Sequence, residues 1–155
     1  EWAWRQHNVL FEWANKAVAD VGQQLRPDET VFSWSDEAWS YALLHRLPPG
    51  PMLWKQHATS GPMAGWLTRQ TLANLRRRPP DLIISWQQLS PPDHPIVVWA
   101  MHNYDRFPDE GRSHFPLCMY VLRDSALEHR LMARTRAIAE NTHAATTRHI
   151  GSLSR

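Results

Sequence analysis

At 155 residues, with 43% apolar and 21% charged residues, the chain is long enough for one domain with its own core, and its composition excludes general disorder. A formal net charge of +2 gives no argument for nucleic acid, and no stretch approaches the ~18 apolar residues of a membrane-spanning helix. Cys118 is the only cysteine, so no intrachain disulfide forms.

Residues 2–25 predict a helix, because Leu10, Ala14, Ala17, Val18, Val21 and Leu25 recur at three- and four-residue steps. Arg26-Pro27-Asp28 breaks it, and Val31-Phe32-Ser33-Trp34 reads as a short strand. Asp36 is placed to cap a helix with an inner stripe of Ala38, Trp39, Ala42 and Leu43. Pro48-Pro49-Gly50-Pro51 stops that helix, and Met52-Leu53-Trp54 is a weak strand candidate. Ser60 opens the next helix, with Met63, Leu67, Thr71, Leu72 and Leu75 inward and Pro79-Pro80 as its stop.

Asp81-Leu82-Ile83-Ile84-Ser85 is the strongest strand signal, apolar enough to predict burial on both faces. Residues 96–104 fit a helix or a strand by periodicity, and 107–113 read as a loop. Residues 114–123 predict the last strand, with Pro116 suggesting a sheet edge. Residues 125–147 read as a helix, followed by a loose tail. This alternation predicts a small three-layer, Rossmann-like α/β domain. Its expected sheet is four-stranded and mostly parallel, with one edge strand and flanking helices. The main body is expected over 1–124, with 125–155 as a helix and tail on it.

The chemistry is sparse. Six glycines form neither GxGxxG nor a Walker loop, so no nucleotide cofactor is expected. Nine histidines include no HExxH and no helical His-x-x-x-His pair, and the one cysteine offers little help, so no metal is expected. GxSxG is absent too. Arg76, Arg77 and Arg78 end a predicted helix, where cations complement the macrodipole, and a phosphate or lipid-headgroup patch is the competing reading. Cys118 lies in an apolar run and reads as a buried small hydrophobe.

Nine tryptophans are the more informative feature. Some belong to the core, and others suit a surface that meets sugar, lipid headgroup or protein. Trp39 and Trp66 read as rings that pack helices onto the sheet. Trp34, Asp36, Tyr41, Trp54 and His57 gather near expected carboxyl ends of strands, where flat rings and polar groups suit a sugar or a phosphate. For Asp36 a helix cap is the competing reading. Trp2, Trp4 and Arg5 have the composition of a membrane–water interface.

Several stretches then carry a family likeness. These are Leu25 to Glu37, with Val31-Phe32-Ser33-Trp34-Ser35-Asp36 at its centre; Tyr41; His45-Arg46-Leu47-Pro48-Pro49; Leu72 to Ile84, with Pro79-Pro80-Asp81-Leu82-Ile83-Ile84; Asn103-Tyr104; and Phe115 to Arg123. Together they resemble the C-terminal extracytoplasmic domain of polytopic C-type glycosyltransferases, in the dolichyl-phosphate-mannose-protein mannosyltransferase-like branch. The likeness spans residues 8–123 and favours a helix over 96–104. Ser35 departs from it where the family often has Gly, and so does the helix after Ser125.

The resemblance implies an accessory domain on the extracytoplasmic (periplasmic) face of a membrane. Its partner would be the membrane-embedded part of the same polypeptide. A glycan, a polyprenyl-phosphate headgroup or a peptide acceptor would be its ligand. The family's catalytic carboxylate lies between membrane spans, so no catalytic residue is carried onto this chain. The expectation is a piece of a larger protein. A free-standing α/β binding module, or an independent sugar- or nucleotide-acting enzyme, are the alternatives.

Overall fold

A computed structural model describes residues 2–36, 38–52, 54–86, 88–107 and 117–152, with side chains from Leu10 to Asn141. In chain order these form α1 (Trp2–Gly22), β1 (Val31–Ser33), α2 (Trp39–Leu43), α3 (Lys55–Thr59), α4 (Ala64–Arg77), β2 (Leu82–Trp86), α5 (Pro95–Asn103), β3 (Tyr104–Arg106), β4 (Leu117–Leu122) and α6 (Ala126–Ser152).

The four strands make one sheet in the order β1-β2-β4-β3. β1 runs parallel to β2, opposing Phe32 to Ile83, while β4 is antiparallel to both β2 and β3. The sheet is therefore mixed, which corrects the expected mostly parallel arrangement. The reason lies in β3, where three residues directly after α5 supply an edge strand that no hydrophobic run announces. β4 is consequently interior, not the edge that Pro116 suggests; Pro116, with 108–115, lies outside the described residues. The edges are β1 and β3.

Side chains alternate across the pleat and feed two cores. Phe32, Trp34, Ile83, Cys118 and Tyr120 face one side and pack with Ala58 of α3, Leu75 of α4 and Ile96, Val97 and Ala100 of α5. Val31, Leu82, Ile84, Leu117 and Val121 face the other and pack with Ala14, Val18 and Val21 of α1 and Leu127 and Leu131 of α6. This gives helices on both faces of the sheet. β2 is buried on both sides, as its apolar run predicts. No described helix is long and apolar enough to cross a membrane.

α6 is fastened to the body by charge as well as by packing. The Arg130 guanidinium donates to Glu29 Oε1 at 2.7 Å and to the Gln24 carbonyl at 2.9 Å. Glu29 is buried, and it also accepts the Arg26 N–H at 2.8 Å.

Three further expectations change. Met52 and Trp54 lie in no strand, Leu53 is outside the described residues, and Met52 is instead a fully buried core side chain. The helix expected from Ser60 starts at Ala64, and a separate short helix, α3, precedes it. In α2, Ser40 and Tyr41 turn inward while Ala42 and Leu43 are exposed, because five residues are too few for the expected stripe to settle.

Candidate functional site

The five residues expected to contact a ligand divide into two sets. Trp34 and Tyr41 are interior. Trp34 is 1% exposed; its indole N–H donates to the Ser90 carbonyl at 2.9 Å, and its ring lies 4.9 Å from that of His94. Tyr41 accepts the Ser33 N–H at 2.8 Å, which ties α2 to β1, and burial pushes its phenol up to about 12. Both are structural as they stand, since a ligand cannot reach a ring that the core already covers.

Asp36, Trp54 and His57 share one surface, just beyond the carboxyl end of β1. Asp36 caps a helix, but a different one from that expected. α2 has Ala38 at its start and no side-chain cap. The Asp36 carboxylate reaches across to α3, accepting the Gln56 N–H at 2.8 Å and pairing with Lys55 Nζ at 3.6 Å. The Lys55 N–H donates to the Ser35 carbonyl at 2.8 Å, so the chain after β1 and the first turn of α3 are held together. Trp54, at the N-cap of α3, is 40% exposed, and the His57 ring meets it edge-on at 5.0 Å and 72°.

These groups have a definite chemical capacity. An exposed indole offers a flat, electron-rich face to the C–H groups of a sugar ring. The outward carboxylate oxygen of Asp36 accepts hydroxyl hydrogens, while Lys55 donates to hydroxyl oxygens. Glu37, the neighbouring carboxylate, lies outside the described residues.

Lys55 is the group that reading the sequence missed. Its sequence signal is weak: a single lysine directly after the strand candidate Met52-Leu53-Trp54. Trp66 is a correction of another kind. Expected to pack inward, it is 45% exposed. Thr68, Thr71 and Leu75 form the buried side of α4, and at ~100° per residue position 66 falls opposite Thr68. Trp39 does pack, edge-on to Phe11 at 5.6 Å and to Trp86 at 6.4 Å.

The remaining perturbed groups are bound into the fold. His94 Nδ1 accepts the Ile96 N–H at 3.3 Å and so caps α5; its Nε2 lies 3.2 Å from the Ala58 carbonyl and 3.3 Å from Thr68 Oγ1. Burial lowers its pKa below the ordinary imidazole value. Burial raises the phenols of Tyr104, which donates to the Pro80 carbonyl at 2.6 Å, and of Tyr120, which accepts the Leu89 N–H at 3.3 Å. Asp81 is raised by burial too, although it accepts the Thr30 N–H at 2.8 Å. Cys118 is buried, and no cluster of metal-ligating side chains occurs among the described residues.

A concavity of about 400 Å³ lies on the opposite side of the sheet, between α1, α6 and β4. Lys16, Arg106 and Arg134 on its lining outnumber the single carboxylate of Asp20, and Arg134 donates to the Asp20 carbonyl at 3.2 Å. None of the five expected residues lines it. Comparison with protein-family models, with curated proteins and with solved structures found no match.

Proposed function

We propose that this chain is an extracytoplasmic domain of a polytopic membrane glycosyltransferase that uses a polyprenyl-phosphate-linked sugar, and that it helps to hold the acceptor without supplying the catalytic groups. The sequence motifs from Leu25 to Arg123 motivate this reading. The observation that carries it is the exposed Trp54–His57 ring pair beside the Asp36–Lys55 ion pair. That surface sets a stacking plane on the first turn of α3 beside both signs of hydrogen-bonding charge, from Lys55 on that turn and from Asp36 reaching across to it, a combination that suits a sugar. The perturbed side chains elsewhere are engaged in capping and core bonds, which favours a binding role over a reactive one.

The partner is the membrane-embedded part of the same polypeptide. Trp2 and Trp4 open α1, where interfacial aromatics would follow a membrane span.

The test is a nuclear magnetic resonance titration of the domain with methyl mannoside, farnesyl phosphate and short peptides, following the indole N–H signals. A response to one of these at Trp54, abolished in Trp54→Ala and weakened in Asp36→Asn, is the expected result. No response from Trp54 to any of the three would refute acceptor binding at this surface.

A further inference from the structure

The outer face of α4 has a composition that neither the core nor the sugar surface uses. Residues 38–80 contain six cations, Arg46, Lys55, Arg69, Arg76, Arg77 and Arg78, and no carboxylate. Within α4, Trp66, Arg69, Gln70, Ala73, Arg76 and Arg77 are exposed, at spacings of three and four that make one outward stripe. The ion pairs among the described residues are Lys55–Asp36, Arg123–Asp105 and Arg130–Glu29, so none of the α4 arginines is neutralised by a carboxylate. Arg77 bonds to Asn74 Oδ1 at 3.1 Å, which leaves its charge intact.

The stripe continues sideways. A groove between α4 and α5 is lined by Leu72 and Arg76 on one side and by Val98 and Trp99 on the other. Beyond it, α5 exposes Val98 and Met101, at 41% and 54%. Met63, at 54%, extends the apolar area ahead of Trp66. α5 itself carries no acidic residue. The nearest carboxylates in sequence are Asp81, which is bonded to the Thr30 N–H, Asp93 in the loop before α5, and Asp105 just after α5, which pairs with Arg123.

We propose that this α4–α5 face lies against an anionic lipid surface. Arginines spaced along a helix attract acidic headgroups, and Trp, Met and Val among them enter the apolar edge of the headgroup layer. Nucleic acid would use the cations but leave Met63, Val98 and Met101 without a role. Protein interfaces also take up Arg, Trp and Met, so an acidic protein surface is the competing occupant, which the test below separates by polyglutamate capture. The biological setting rests on the membrane-associated reading above. The vesicle assay and the sugar titration report on different residues, so either can fail alone.

The test is co-sedimentation of the chain with vesicles of phosphatidylcholine alone and of phosphatidylcholine mixed equally with phosphatidylglycerol. Binding is expected only to the anionic vesicles and falls with added salt. At about fivefold per arginine, the Arg69→Gln/Arg76→Gln/Arg77→Gln variant lowers partitioning about a hundredfold. Trp66→Ser lowers it further without a change of charge. The control Lys16→Gln/Arg26→Gln/Arg136→Gln removes equal charge from other surfaces and retains binding. Equal losses in the two triple variants would assign binding to net charge and overturn the proposal. Equal binding to both kinds of vesicle, or none to either, would also overturn it. So would arginine-dependent capture of polyglutamate or an RNA oligomer without vesicle binding, which would give the face a macromolecular partner.

Discussion

His94 holds three parts of the fold through one neutral ring. Nδ1 must be unprotonated to accept the Ile96 N–H, while Nε2 faces the Ala58 carbonyl, and the ring lies against Trp34. Adding a proton would turn an N–H on Nδ1 toward the Ile96 N–H and remove the α5 cap. The folded state therefore takes up the proton less readily than the unfolded chain, in line with the lowered pKa. The stabilisation is complete above the unfolded value of about 6.5 and declines as pH falls below it. For one histidine that resists protonation altogether, the ceiling on the loss at pH 5.5 is about 1.4 kcal/mol. Partial solvent access to the ring keeps the loss below this ceiling. Losing the cap and the Nε2 bond in His94→Ala costs about 2 kcal/mol at pH 8. The assay is urea unfolding at pH 8 and pH 5.5, with the chain's other histidines cancelled by comparing wild type with the variant. The gap is expected to shrink on acidification. A gap that stays constant or widens, or an imidazole titration of His94 at or above the ordinary value, would refute this account.

Trp34→Ala, emptying a fully buried indole site, should destabilise the domain by about 4 kcal/mol. Trp54→Ala, at an exposed position, should change stability by less than about 0.5 kcal/mol. Paired thermal melts check this, and similar losses would mean that Trp54 is a core ring. Arg130→Ala strands the buried Glu29 carboxylate and should cost about 3 kcal/mol. The double variant Glu29→Gln/Arg130→Met should recover part of that loss, and a double variant as unstable as Arg130→Ala would contradict the stranded-charge explanation.

Much of the architecture was legible where a pattern was long or strongly biased. The apolar run Leu82-Ile83-Ile84 announced a strand buried on both faces, and Ala14, Val18 and Val21 announced the inner side of α1. The mixed sheet was not legible, because Tyr104-Asp105-Arg106 carries no apolar signature and forms a strand through its pairing with β4. α3 escaped for a related reason. Five residues nucleate no helix alone, and its first turn depends on a carboxylate from Asp36, about 20 positions upstream. At the site, residue type identified Trp34 and Trp54 equally well. Burial separates them, and burial follows from the Ser90 carbonyl and the His94 ring, partners that sequence distance conceals.

The place of β4 has a consequence for assembly. This last of the described strands is inserted between β2 and β3, both of which precede it in the chain. Until it arrives, β2 pairs only with β1, and β3 has no strand beside it. A chain emerging from its amino end therefore holds an apolar strand with an open hydrogen-bonding edge, the feature that invites pairing with another molecule. The sheet is complete only with residues 117–122 in that gap, and Leu127 and Leu131 pack on the same core. Any truncation ahead of Leu117 removes the central ladder of the sheet, so the domain has no stable amino-terminal half.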